Sequence, residues 1–296
     1  MSKQDNLTDF LTDVADAIRA KKGTTEKINP QNFSEEIREI ESGEDDGFNA
    51  KVEIADRTIC NPKLVTRVVV DEGVTLVGGF MDCSYLVEMV VPEGVKTFDL
   101  SAFQSCGNLK IINFPNSLER IRMNCFHACN SIPAIHIGEN VIAIEQPWGA
   151  AMNALTHLSV SEGNSVYDSR NGCNAIINSK ANSLIAGCNV TVIPDTVTII
   201  GAYAFREYTI KTMYFPPNVV TIESNAFKGC NNVELYDFRD HTSIPNLASI
   251  NALAGASTYK IVVPDTLYDE WTAATNWSTY ASRIVKASEF VEPTTE

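Results

Sequence analysis

The sequence predicts a mainly β chain: a parallel β-solenoid with a small two-helix module before it and a helical cap at its end. Phe80, Phe103 and Phe126 stand 23 residues apart, Cys83, Cys106 and Cys129 follow in the same phase, and Leu86, Leu109 and Ile132 keep it again. A period of this length marks a unit that cannot bury its own apolar face and stacks on copies of itself. The register also survives an interruption. From Pro92 the offsets +3, +6 and +11 reach Val95, Phe98 and Phe103; the same offsets lead from Pro115 to Phe126, from Pro194 to Phe205 and from Pro216 to Phe227. Short β-branched or aromatic runs end at these prolines, as in Met89-Val90-Val91 and Met213-Tyr214-Phe215, and read as strands. Proline has no backbone donor, so it suits a strand's exit and not its middle.

In chain order, residues 1–41 form the helical module. Leu7, Phe10, Leu11, Val14 and Ile18 fall on one face of a helix over residues 5–22 that Gly23 stops. A second short helix follows, with Asn29 to cap it, Pro30 in its first turn and Phe33, Ile37 and Ile40 along one side. Two such helices bury little by themselves, so the Leu7 to Ile18 stripe is expected to be an attachment or oligomerisation interface. Residues 42–48, containing Glu44-Asp45-Asp46-Gly47, make an acidic linker.

Residues 49–290 are then assigned to the solenoid, at roughly eight turns spaced by about 4.8 Å. Its expected interior ladder consists of Phe80, Phe103, Phe126, Phe205 and Phe227 beside Cys83, Cys106, Cys129 and Cys230. Asp71 and Gly138 replace the proline in two weaker copies, the first two residues short of its Phe80 and the second reaching Gly149 instead of an aromatic. Between residues 138 and 188 the template lapses. Apolar runs at 175–177 and 184–186 there flank a turn, which predicts a hairpin on the solenoid and not a domain boundary. The chain closes on a cap over about 261–287, where Asp265 is expected to cap a helix carrying Leu267, Trp271 and Ala274, with Trp277, Tyr280 and Ile284 beyond. An open solenoid end needs such a cover. Tyr268, Trp271 and Trp277 are at the same time the candidates for stacking on a glycan.

Composition excludes several functions. With 37 acidic against 23 basic side chains the formal charge is −14, which argues against nucleic acid, and the acidic flanks argue against an anionic membrane surface. Four of the eight cysteines share one repeat position and serve there as small packed hydrophobes, so reduced thiols are expected. Cys125, His127 and Cys129 lack the paired spacing of a zinc site, and no metal or cofactor is expected. Four scattered histidines form no catalytic motif, and no nucleophile elbow, phosphate loop or dinucleotide fingerprint occurs. The opening Met1-Ser2-Lys3-Gln4-Asp5 leads straight into an acidic helix without an apolar leader core, so use without Sec export is expected.

The recurring strand, Pro, Val-x-x-Ile, Ala-Phe-x-x-Cys-x-x-Leu pattern, seen in VPEGVKTFDLSAFQSCGNL and PPNVVTIESNAFKGCNNV, resembles the BspA-type leucine-rich repeats over roughly residues 60–285. That resemblance implies a curved parallel solenoid used for binding. The segment NLTDFLTDVADAIRAKKGTTEKINPQNFSEEIREIESG is similar to a short module of bacteriophage tail and fibre proteins, which implies attachment to other virion proteins. Together they favour a non-catalytic virion protein: tail, fibre or capsid-associated, oligomeric, with repeats that bind a host-surface protein or glycan. The alternatives are a BspA-like bacterial surface adhesin and, more weakly, a glycan-processing enzyme.

Overall fold

A computed structural model describes residues 65–253, 255 and 258–291; the predicted helical module and linker, with Leu7, Phe10, Leu11, Val14 and Ile18, lie outside the described residues. In chain order the first strands are β1 (Arg67–Val69), β2 (Leu76–Val77), β3 (Glu88–Val90), β4 (Thr97–Phe98), β5 (Ile111–Ile112), β6 (Arg120–Ile121), β7 (Ala134–Ile137), β8 (Ala143–Ile144) and β9 (His157–Val160). An insertion carries β10 (Tyr167–Asp168), β11 (Ile176–Asn178) and β12 (Ser183–Ala186). The array resumes with β13 (Ile199–Ile200), β14 (Thr212–Tyr214), β15 (Thr221–Ile222), β16 (Leu235–Asp237), β17 (Asn246–Leu247), β18 (Lys260–Val263) and β19 (Ile284–Lys286). The result is a mainly β parallel solenoid of about nine turns.

Two parallel ladders run up it. A longer-strand ladder stacks β1-β3-β5, then β7-β9, then β14-β16-β18-β19; a short-strand ladder stacks β2-β4-β6-β8 and later β12-β13-β15-β17. Between them each unit turns at its proline. The Pro115, Pro194 and Pro216 carbonyls accept from the N–H three residues on, at Leu118 (3.0 Å), Val197 (2.9 Å) and Val219 (3.0 Å). Asp71 and Gly138 close the same turn onto Val74 and Val141, both at 3.4 Å, which places them at the proline position.

The turn around each ladder phenylalanine is left-handed two residues after it. Asp82 (φ 62), Ser105 (62), Ala128 (60), Ala151 (54) and Glu207 (62) recur there, and only Gly229 (80) is a glycine. A side chain in this region costs on the order of 1 kcal/mol, and it persists only where neighbours fix the backbone. Here each N–H is tied to the next unit: Ser105 to the His127 carbonyl (2.8 Å), Ala128 to Ala150 (2.8 Å) and Glu207 to Lys228 (2.8 Å).

The longer-strand ladder breaks between β5 and β7 for a reason written in the chain. Lys110 and Ile111 both donate to the Val87 carbonyl at 2.9 and 3.1 Å, but the residue a repeat later is Pro133, which has no N–H to give. Its carbonyl still accepts from Thr156 and His157 at 3.0 and 3.2 Å, so the ladder resumes at once.

The predicted hairpin is present and does more than loop out. β11 and β12 pair antiparallel, Ile177 against Leu184 and Asn178 against Ser183, and β12 then pairs in parallel with β13. The hairpin's second strand is therefore the first rung of the next stack. Tyr167 joins the inserted piece to the earlier one by accepting the Ile144 N–H on its hydroxyl at 3.0 Å.

At the C-terminus the expected cap corrects in one respect. Helix α1 (Tyr268–Ala273) follows a short turn from Asp265 to Leu267, and no side chain caps either. Asp265 instead accepts from the Ser288 N–H at 3.0 Å and from the Ser288 hydroxyl, clipping the last turn to the cap. The cap covers the end by imitation. Pro245 and Leu247 carbonyls, which a further unit would have bonded, accept from Trp277 Nε1 (2.8 Å) and Asn276 Nδ2 (2.7 Å), and Tyr280 donates to Ile250. Among the described residues no helix is long and apolar enough to cross a membrane.

His241 lies beneath the cap, 3% exposed, with no partner in good hydrogen-bond geometry on either ring nitrogen and its ring edge-on to Phe238 (5.3 Å) and Trp271 (6.0 Å). Burial holds its pKa below the ordinary imidazole value, although the Phe215 and Ser243 backbone and the charges of Asp240 and Asp237 pull the other way. A depressed folded-state value means that the unfolded chain takes up the extra proton, so stability is lost as pH falls through about 6.5. Urea unfolding at pH 7.5 and 5.5 should show that loss in the wild type and a smaller one in His241→Phe; equal losses would contradict it. Glu207 gives a separate acid step. Burial raises it, but the His127 hydrogen bond and Arg206 charge outweigh that and hold it low, so its contribution disappears only within the carboxylate range.

Candidate functional site

Among the described residues the repeated aromatic positions pack on one another, rung on rung. Phe80, Phe103 and Phe126 stack at 5.9 and 5.3 Å, and Phe205 and Phe227 stack at 4.8 Å, forming two columns separated by the insertion. The missing aromatic at Gly149 is supplied from one position earlier: Trp148 is 2% exposed and meets Phe126 edge-on at 5.9 Å. Met152 and Leu155, in phase with the Cys and Leu columns, fill the rest, and a Cβ on Gly149 would lie 2.7 Å from the Met152 sulfur. At the far side of the gap Gly187 leaves room for the Phe205 ring, into which a Cβ there would project.

The cysteine column has a function in the fold that periodicity alone did not reveal. Cys106, Cys129 and Cys230 thiols donate to the carbonyls of Phe80 (3.0 Å), Phe103 (3.0 Å) and Phe205 (2.8 Å), the ladder residues one unit back. These carbonyls already accept a backbone N–H, so the thiol uses the second lone pair. Cys83, Cys106, Cys129 and Cys230 are all free and buried. Burial pushes the Cys129 and Cys230 thiols up to about 12, which keeps them protonated and unreactive. A reductant should therefore leave Tm unchanged within about 1 °C; a large drop would reveal bridges between units.

Other candidates are also placed. Cys125 and Cys129 point into the core while His127 bonds Glu207 across 3.0 Å, so the three do not converge, and among the described residues no group of three ligating side chains could hold a metal ion. Trp271 (0% exposed) and Trp277 (1%) pack edge-on in the cap and offer no ring face to a sugar. Tyr268 is half-buried, with Lys286 Nζ 5.1 Å from its ring centre.

Outward positions of the longer-strand ladder differ at each rung. Arg67, Glu88 and Ile111 are neighbours in register, as are Ala134 and His157, and His136 and Ser159. Arg67 and Glu88 pair at 3.0 Å, His136 and Ser159 at 2.9 Å, and Ile111 stands 59% exposed. The units are thus alike inside and differ from rung to rung outside.

Stacked units with a common interior and a variable face define the class of repeat scaffold. The chain belongs to the BspA type leucine rich repeat region family, which matches residues 53–173 and 175–266 in 6 copies. Among solved structures it is similar to a leucine-rich repeat protein from Eubacterium ventriosum, at TM-score 0.51 and 20% identity, covering 69% of this chain and 60% of that one. It is also similar to the pneumococcal vaccine antigen PcpA, at TM-score 0.50 and 17% identity, covering 67% of this chain and 62% of that one. The chain thus spans less than two thirds of either, and the likeness is one of fold. No curated protein matches it.

Proposed function

We propose that this chain is a non-catalytic binding protein that displays its repeat face at a bacterial surface and recognises a host protein or glycan there. The observation that carries the reading is the contrast between an interior of repeated Phe, Cys and Leu and an outer row that runs Arg67, Glu88, Ile111 in register. Selection for folding alone would leave the outer row free, and repeat scaffolds use such rows for binding. Similarity to a vaccine antigen supports the surface location. Antibody labelling of intact producing cells tests it: labelling without permeabilisation is expected, and labelling only after lysis would overturn it.

The virion role is the second reading, and the resemblance of residues 6–43 to phage tail modules favours it. Under it the Leu7 to Ile18 stripe holds the chain to other virion proteins or to a second copy. Deleting residues 1–47 should then leave a folded monomer while the full chain self-associates or sediments with particles. A full chain that is monomeric and sediments with no particle rejects the virion role and leaves the surface reading standing.

A further inference from the structure

The longer-strand ladder has a gap where the repeat asks for a strand. Residues 190–193, Val-Thr-Val-Ile, precede Pro194 as Met213-Tyr214-Phe215 precede Pro216, yet they form no strand. Their N–H groups bond backwards: Thr191 donates to Cys188 (3.2 Å) and Val192 to Cys173 (3.1 Å). The segment nevertheless lies alongside β14. Asn189 Oδ1 accepts the Thr209 N–H at 2.9 Å at one end, and Asn218 Nδ2 donates to the Asp195 carbonyl at 2.8 Å at the other. β14 is left with a single ladder partner, β16.

The outer side of this place is apolar and rimmed with acid. Val190, Val192 and Tyr214 are 45%, 72% and 43% exposed, and the repeat offset of 22 residues sets Val192 beside Tyr214. The Tyr214 hydroxyl donates to Asp240 Oδ2 at 3.1 Å, while Asp195 and Asp237 also bear on the phenol. Asp237 is answered by Arg239 at 2.8 Å, whereas Asp195 and Asp240 have no salt bridge among the described residues. Lys211, the nearest cation along the strand, precedes Thr212 at the opposite end.

We propose that this strip docks an extended segment of a partner protein in which apolar side chains alternate with Lys or Arg. The apolar side chains lie over Val190 and Val192, and the cation reaches Asp240 and Asp195 beside the Tyr214 ring, where an aromatic face adds to the attraction of the carboxylates. The extended form follows from the direction of the strip, in which the exposed Val190 and Val192 are spaced two residues apart beside β14, as alternate side chains of an extended chain are. This inference rests on the binding reading above and names the partner for one part of the face.

A fluorescein-labelled peptide alternating Lys and Val, with a Glu and Val peptide as control, tests it by anisotropy on the full chain. Saturable binding of the Lys peptide alone is expected, weakened about tenfold by Tyr214→Ala with Asp240→Asn, by Val192→Asp, and by 0.5 M salt, since exposed charges are screened within about 5 Å there. All three substituted positions point outward, and an unchanged Tm certifies the variants. No saturable binding of the Lys peptide, equal binding of the Glu peptide, or binding that the variants leave unchanged would overturn the proposal. Host-cell binding measured on the same proteins separates the two levels: cell binding that survives these variants leaves the general reading intact while excluding the strip, whereas a wild-type chain that binds no host cell removes the general reading whatever the peptide does.

Discussion

Phe126→Ala is expected to cost about 3–5 kcal/mol, the usual loss on emptying a buried aromatic site. Phe126 is 0% exposed and touches five groups of the ladder at once. It stacks on Phe103 at 5.3 Å and Phe114 at 5.6 Å, and meets Phe98 and Trp148 edge-on at 6.0 and 5.9 Å; its carbonyl holds the Cys129 N–H at 3.2 Å. Because it joins units on both sides, the void cannot close by a shift of one neighbour. Urea unfolding should show an unchanged slope and a lowered midpoint for this variant and for Phe103→Ala. Losses under about 1 kcal/mol at both sites would remove the ladder as the source of stability.

Trp277→Ala should be comparable, again about 3–5 kcal/mol, by a different route. The indole is 1% exposed, packs edge-on against Trp271 (5.3 Å) and Phe238 (5.4 Å), and gives its N–H to the Pro245 carbonyl. Its loss uncovers the end of the stack as well as emptying a site. Trp277→Phe keeps most of the packing and loses the bond, so about 1–3 kcal/mol is expected there. Amide exchange should accelerate first around β17, whose outer side Trp277 and Asn276 cover. A Trp277→Ala protein with wild-type stability and exchange would show that the cap does not hold the end.

What the sequence made legible was whatever repeats. Phase alone located the Phe and Cys columns, the proline turns and the lapse between residues 138 and 188, because a stacked unit must place like residues at like depth. Trp148 escaped because it fills the column from the neighbouring position, although Met152 and Leu155 in phase behind it were the available signal that this unit is packed like the others. Pro133 also announced the break after β5, through a missing donor at a position where Lys110 has one. Other features had no periodic signal. The side-chain donors of Asn276, Trp277 and Tyr280 take over carbonyls whose need for partners arises only because the stack ends there. Trp271 and Trp277 looked like sugar platforms for the same reason: aromatic residues at a chain end are consistent with a cover or a site, and only burial decides. Left-handed turns at Ser105, Ala128 and Glu207 were hidden because none of these residues is glycine.

The inside of each unit serves the fold, and the proposed function assigns recognition to the outside. Thermal melting and host-cell binding of two proteins, Ile111→Glu and Phe126→Leu, measured side by side, test it most directly. Ile111 is 59% exposed on β5 and Phe126 is 0% exposed in the column behind. The prediction is that Ile111→Glu keeps Tm within about 2 °C and loses binding, while Phe126→Leu melts several degrees lower and, where still folded, binds as the wild type does. Binding unchanged in Ile111→Glu, together with binding lost in a folded Phe126→Leu, would contradict the division.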